Sequence, residues 1–446
     1  MSESRPSSAS ARLYERALKI MPGGVSRNTV LRKPHPLYAA YATGCRITDL
    51  EGVERIDFSN NMASLIHGHA HPAIVEAVTE QLRRGTAFAE ATEIEVRCAE
   101  HLVSRNPGFE KLRFVNSGTE AIMAALKASR AFTGRAKIAK VEGAYHGLYD
   151  YAEVSQNANP GNWGDVDAPI SVPTARGTPP AALADVVVIP FNDCERALAR
   201  LDRHRGELAC VLIDLMPHRV GLHPADPPFV KAIREWTEAD GALLVLDEVI
   251  TFRSEYGGAQ TWYDLTPDLT ALGKFIGGGF PIGALAGRAE VMDVMNPLAD
   301  FVQFPHSGTF SANPISMTAG LTAMELFDEE AIQRINALAA RAREGIEQAI
   351  CSTGITACVT GAGSMLRVHV KASPPTNYRE AFWHAEERRQ VTRLLDHLLD
   401  EGITMMNTCS AALSTAMGES EVDAFVSAME RGFRVVDSET RSGARR

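Results

Sequence analysis

Asp247 and Lys274 are the residues around which chemistry can be built in this chain. The apolar run Leu243 to Leu246 ends abruptly in two acids, Asp247 and Glu248. Such a run reads as a buried parallel strand with a carboxylate at its C-terminal end, where open α/β sheets place their chemistry. A second apolar stretch closes on Lys274, which stands between Gly273 and the apolar Phe275 and Ile276 and precedes Gly277, Gly278 and Gly279. Desolvation there lowers an ammonium pKa, and a lysine so tuned is a nucleophilic amine able to form a Schiff base. Each feature alone also has a bland reading, as an ordinary acidic strand end or as a solvated loop lysine. Only their company in the chain decides between the two.

The elements that must position these groups read as alternating strands and helices. Leu112 to Val115 is a short strand running into Asn116-Ser117-Gly118-Thr119-Glu120 and then an amphipathic helix to Gly134. A strand, a small polar turn and a helix start leave free backbone N–H groups at a positive dipole end, a place for a phosphate, to which Ser117 and Thr119 add hydroxyls. A plain Ser or Thr N-cap is the alternative. KIAKV is another strand, and Tyr145-His146-Gly147 after it puts a flat ring at the sheet edge. Residues 151–181 have the Gly/Pro-rich composition of an active-site or interface loop. Strands at 185–190 and LACVLIDLMP, with helices ERALARLDRHRG and PPFVKAIREWTEADG, complete a pattern that means a mainly parallel, helix-covered sheet.

The flanks differ. The polar opening reads as disordered to about Ser10, followed by a helix stopped at Pro22, then an arm carrying Arg27 and Arg32, and two short strands joined at Asp49 to Gly52. An arm leading into a site is a natural place for a carboxylate clamp. The segment 68–85 reads as a helix with Ile74, Val75, Val78 and Leu82 on one face. His67, His69 and His71 precede it, but no carboxylate is spaced to complete a metal site. Gly308, Thr309 and Asn313-Pro314 lead into an apolar helix, and from about residue 328 charged helices and short strands form a smaller α/β part. The expected division is an N-terminal arm and part of the small domain at 1–65, a large domain at 66–327 and a C-terminal small domain at 328–446.

Composition bounds the function. With 446 residues and 45% apolar content, the chain can bury a large core, and its net charge of -10 argues against nucleic-acid or anionic-membrane partners. Seven cysteines, at 45, 98, 194, 210, 351, 358 and 409, form no close pair, which fits reduced thiols in the cytosol and no zinc site. No apolar run is long enough to cross a bilayer, and MSESRPSSASAR lacks a signal-peptide core.

The ordered set NSGTEA, YHG, DEV, LGK-x-x-GGG-x-P-x-G-A and GTF-x-x-NP closely resembles the class III pyridoxal-phosphate-dependent aminotransferases over nearly the whole chain. The GHAHP region and the PGG arm point to the branch that resembles glutamate-1-semialdehyde 2,1-aminomutase. The resemblance implies fold type I, with a mainly parallel seven-stranded sheet in the large domain and a smaller α/β domain from both chain ends. It implies pyridoxal 5′-phosphate as cofactor and no metal. Lys274 would hold the cofactor as a Schiff base and shuttle a proton, and Asp247 would pair with its pyridinium nitrogen. Tyr145 would stack on the ring, Val249 would pack its other face, and Ser117, Gly118 and Thr119 would bind the phosphate. Thr309 from a neighbouring copy would complete that cup, making a cytoplasmic homodimer with shared active sites.

Two departures bear on substrate. The family's usual Glu-Pro is replaced by Ile213-Asp214-Leu215-Met216-Pro217, and Arg219 aligns with an asparagine of the aminomutases, as a candidate carboxylate ligand. The arm MPGGVSRNTVLRKPHPL resembles that of aromatic β-amino-acid aminotransferases, where an arginine at the position of Arg27 receives the substrate carboxylate. Those enzymes carry a further arginine in a C-terminal hairpin, which here reads Met406-Asn407-Thr408-Cys409-Ser410. Acceptor binding must differ, or Arg27 or Arg219 must serve both substrates. The leading expectation is an aminotransferase moving an amino group from an amino acid, β or aromatic, to a 2-oxo acid by a ping-pong mechanism. The alternative is an intramolecular aminomutase acting on a semialdehyde. A non-catalytic binding protein is opposed by the intact Lys274, Asp247 and Tyr145 set.

Overall fold

Seven apolar segments pair into one central sheet: β1 (Lys111–Val115), β2 (Lys137–Val141), β3 (Val186–Ile189), β4 (Leu208–Ile213), β5 (Leu243–Asp247), β6 (Leu269–Gly273) and β7 (Gly283–Gly287). The protein is described here by a computed structural model covering residues 8–443. The strands lie in the order β1-β7-β6-β5-β4-β2-β3. Strands β2 to β6 run parallel to one another, and β7 is antiparallel to both β1 and β6. The reversal has a simple cause: residues 274–282 are too few for the crossover that a parallel pair requires. Strands β4, β5 and β6 are buried along their whole length, as expected of a sheet covered on both faces.

One face packs on α1 (Gly118–Thr133), whose Ala121, Ile122, Ala125 and Ala128 meet Val188, Val245 and Leu285 of the sheet. The other packs on the helices Cys194–Asp202 and Pro227–Asp240 through Ala197, Leu201, Phe229 and Ile233. A second core joins the two ends of the chain. Ala39–Thr43, Arg46–Asp49 and Glu54–Asp57 form antiparallel pairs, and Ile403–Thr404 adds parallel to the third. Cys358–Thr360, Met365–His369 and Ser410–Ala412 make a three-stranded antiparallel sheet. Phe58, Leu394, Phe425 and Phe433 lie in the shared core, with the helices Glu329–Thr353, Ala385–Asp400 and Glu419–Gly443 around it.

Several sequence expectations need correction at the N-terminal end. The first helix spans Ala9–Ala17, capped by Ser8 Oγ accepting from the Ala11 N–H, and ends before Pro22. Ser10 is fully buried, with its N–H and hydroxyl both on the Glu51 carboxylate, so order begins earlier than the polar composition suggested. Residues 1–7 lie outside the described range. The arm leads into three strands rather than two. In the helix Pro72–Arg84 only Ile74 and Val78 are buried, whereas Val75 and Leu82 are half exposed.

One local feature borders the site. Asn60, Asn61, Met62 and Ala63 are four consecutive non-glycine residues with φ between 45° and 66°. Asp57 Oδ1 accepts from the Ser59 and Asn60 N–H groups, and Asn60 Nδ2 donates to Ala412 O at 2.7 Å. Arg253, wholly buried, donates to Ala63 O at 3.2 Å and also to Ser364 and Leu413. This scaffold holds a left-handed turn that asparagine tolerates and that Met62 and Ala63 adopt only under constraint.

Candidate active site

The C-terminal ends of β4, β5 and β6 bring three ionisable groups together. Asp247 ends β5, Asp214 follows β4, and Lys274 follows β6. Asp247 is pinned by two donors, the Val249 N–H to Oδ1 at 3.0 Å and His146 Nδ1 to Oδ2 at 2.8 Å. His146 is fully buried, and its Nε2 has no partner. Burial lowers the His146 pKa, against the raising effect of Asp247. Asp214 accepts from the Met216 N–H, and burial, followed by the charge of Asp247, raises its pKa well above the ordinary carboxyl value. Two buried carboxyls beside each other resist double ionisation, which is the direction in which Asp214 is pushed.

Lys274 is partly buried in a backbone conformation rare for a non-glycine residue, with φ of 52°. Burial lowers its ammonium pKa, and Asp247 and Asp214 oppose that shift. The neighbouring acid Glu248 has a different task. It is buried and accepts the Ala259 and Gln260 N–H groups at 3.0 and 2.8 Å, with a pKa raised to about 7 by burial. The two acids that look alike in sequence therefore separate into one facing the site and one bracing a turn.

The start of α1 closes against these strand ends. A Cβ on Gly118 would lie 2.9 Å from both Val249 methyls, and one on Gly283 would lie 2.1 Å from Ser117 O. A Cβ on Gly147 would lie 2.5 Å from Thr119 Oγ1, so the Tyr145-His146-Gly147 turn sits directly on the helix start. Ser117 Oγ accepts from the Glu120 N–H at 3.2 Å, so Ser117 is an N-cap as well as a hydroxyl at the dipole end. Tyr145 is 46% exposed, with the Arg219 guanidinium 5.7 Å from its ring centre. Arg219 donates to Gln156 O at 3.0 Å and Asn157 Oδ1 at 2.7 Å.

The remaining expected residues stand further out. Arg27 is exposed on the arm and donates to Asn61 Oδ1 at 2.8 Å, which joins it to the left-handed turn. Met62 of that turn packs with Met216 and Ile250, neighbours of Asp214 and Val249 in sequence. Arg32 is ion-paired with Asp396 and is not a free clamp. Thr309 is exposed on the segment before Pro314–Leu326. His67 is buried between Ala323 O and Thr415 Oγ1 with the His71 ring 5.3 Å away, and His69 bonds Asp57. Among the described residues no cluster of His, Cys, Asp and Glu has metal-site geometry, and no helix is long and apolar enough to cross a membrane. His146 and Asp214 were not singled out as site residues from the sequence. The signals for them were the histidine of the Tyr-His-Gly turn and a second strand-end carboxylate.

The donor set suits a phosphorylated pyridine aldehyde. A helix N-terminus with two hydroxyls, a carboxylate fixed at the sheet edge, an amine of lowered pKa and a flat ring all converge. The chain matches the family Aminotransferase class-III over residues 29–430. It is 39% identical over 374 residues to a glutamate-1-semialdehyde 2,1-aminomutase of Methanothermobacter thermautotrophicus, covering 83% of this chain and 86% of that one. It is 47% identical to an omega-transaminase from Sphaerobacter thermophilus, with a TM-score of 0.95 over 97% of this chain and 98% of that one. A β-phenylalanine aminotransferase from Variovorax paradoxus shares 33% identity, with a TM-score of 0.82 over 95% and 93% of the two chains. The chain therefore belongs to the class III aminotransferases, with fold type I and pyridoxal 5′-phosphate as its cofactor.

Proposed function

We propose that the protein is an aminotransferase that moves an amino group from an amino acid, β or aromatic, to a 2-oxo acid in two half-reactions. The observation that carries this reading is the place of Arg219. Its guanidinium lies beside the Tyr145 ring, 5.7 Å from the ring centre. A fixed cation there suits a substrate carboxylate. Arg27, tied to the turn bordering the site through Asn61, supplies a second cation at the mouth.

In this reading Ser117, Gly118 and Thr119 would hold the cofactor phosphate, Asp247 its ring nitrogen, and Tyr145 and Val249 would pack against its ring. Bound there, the cofactor supplies an electron-poor ring that stabilises negative charge at the substrate carbon. Lys274, an amine whose pKa burial lowers, would be the residue that holds the cofactor, and as a free amine it would move a proton between substrate and cofactor carbons. His146 and the Val249 N–H keep the Asp247 carboxylate in one orientation. Val249 packs directly against Gly118 at the start of α1. Thr309 reaches the phosphate from a second copy of the chain. In support, Phe88, Val96 and Phe310 are about half exposed around grooves formed by the helix Glu93–Ser104 and the segment 306–312, a face suited to burial between copies.

An intramolecular aminomutase is the second reading, favoured by the 39% identity to the Methanothermobacter thermautotrophicus enzyme. Half-reactions separate the two. Candidate donors mixed with the holoenzyme without any 2-oxo acid should bleach the near-visible cofactor band, and pyruvate or 2-oxoglutarate should restore it. If only glutamate-1-semialdehyde or its diamino counterpart perturbs the spectrum, the aminotransferase reading is wrong.

A further inference from the structure

Arg367 is a buried cation with no acid to answer it. It lies in the middle of Met365–His369 and is 4% exposed. Its Nη1 donates to His218 O at 2.9 Å, its Cζ sits 5.0 Å from the Trp383 ring centre, and its Nε is buried without a partner. Among the described residues no carboxylate forms an ion pair with it. Burying a guanidinium with its Nε unpaired is costly, and a carboxylate brought to that edge would offset the cost.

The surroundings show where that ligand comes from. Arg367 stands directly opposite Ser410 in the antiparallel pair, so the two side chains share a face. Ser410 Oγ accepts from Thr408 Oγ1 at 3.1 Å, and Thr408 Oγ1 is 3.0 Å from His218 Nε2. The carbonyl that Arg367 holds belongs to the residue before Arg219, whose guanidinium adjoins Tyr145. Burial, then the charges of Arg367, Lys274 and Arg219, push the His218 pKa down to about 3, so that ring is neutral at physiological pH. Two arginines, two hydroxyls and a neutral imidazole thus lie between the hairpin 406–410 and the cofactor-side ring. This neighbourhood is rich in donors, and the hairpin itself carries no arginine.

We propose that Arg367, together with Arg219, forms the carboxylate subsite for the 2-oxo acid that completes the reaction cycle. The cation comes from the strand opposite the hairpin instead of from the hairpin. This rests on the aminotransferase reading above. It also separates the duties of the arginines: Arg27 serves the donor at the arm, and Arg367 serves the acceptor across the site. Arg367 is a binding residue whose planar fork matches a carboxylate as a lysine does not.

The test measures the two half-reactions of the holoenzyme separately. Arg367→Gln should raise the half-saturating 2-oxoglutarate concentration at least about tenfold more than that of the amino donor, and Arg367→Lys should fall between it and the parent. Calorimetric titration with glutarate, which lacks the reactive carbonyl, reads the same subsite without turnover. Its affinity should fall about tenfold in Arg367→Gln. Equal shifts for donor and acceptor, or unchanged glutarate affinity in a folded Arg367→Gln or Arg367→Lys protein, would overturn the subsite. A parent enzyme that binds glutarate through Arg367 yet reacts with no 2-oxo acid would refute the aminotransferase reading while leaving the subsite standing.

Discussion

At the scale of single residues, the candidate site depends on holding one carboxylate in a fixed orientation at a buried strand end. Asp247 is held by His146 and the Val249 N–H as donors, while burial and the charge of Asp247 raise the pKa of Asp214 beside it. His146→Leu removes a hydrogen bond to a charged acceptor, worth about 1.5–3 kcal/mol. The expected result is a fall in kcat of roughly 10- to 100-fold with the fold intact, checked by single-turnover kinetics and circular dichroism. Arg27→Ala should act elsewhere, raising the KM of a carboxylate-bearing donor well above any change in cofactor affinity. An unchanged KM would place Arg27 outside the pocket. Asp247 and Lys274 were legible in the sequence because each follows an apolar strand by one step, a local relation. The partner of Asp247 was not, since His146 reaches it across 101 residues of chain. Glu248 shows the same limit from the other side, because nothing local distinguishes a bracing acid from a facing one.

At the scale of elements, the decisive packing is the start of α1 on Val249 and the β6 end. Gly118 is required there by space and not by φ. A Cβ would meet both Val249 methyls at 2.9 Å. Gly118→Ala should therefore weaken pyridoxal phosphate binding by roughly tenfold, an overpacking cost of about 1–3 kcal/mol. Val249→Ala should restore part of the loss. Equilibrium cofactor titrations of the single and double variants check this, and no rescue would mean that the clash is not the cause. The strand–turn–helix unit was readable because its apolar run, small polar turn and helical periodicity are contiguous. The helix Pro72–Arg84 was misjudged for a related reason. Periodicity reports an apolar face but not what covers it, and Val75 and Leu82 remain half exposed in the single chain. The left-handed turn at Asn60 to Ala63 left no clear mark either, because only two of its four residues are types that favour that conformation.

At the scale of the whole molecule, pH acts through buried histidines. His67 donates from Nε2 to Ala323 O and accepts at Nδ1 from Thr415, and burial pushes its pKa down to about 4. The native state then binds fewer protons than the unfolded chain between about 6.5 and about 4. Stability is full above that window and falls as pH drops through it, by on the order of 3 kcal/mol for this group alone. His67→Gln, which keeps a donor and an acceptor but does not titrate, should flatten the fall in urea midpoint between pH 6.5 and 4. A slope identical to the parent would assign the acid sensitivity to other groups. The sheet built from both chain ends has a consequence for synthesis. Ile56 pairs with Ile403, roughly 350 residues later. At translation speeds of about 5–20 residues per second, the first three strands leave the ribosome roughly 20–70 s before their fourth neighbour exists. For that interval the three-stranded unit carries an open strand edge while the central sheet assembles behind it, a template for mispairing until Ile403–Thr404 arrives.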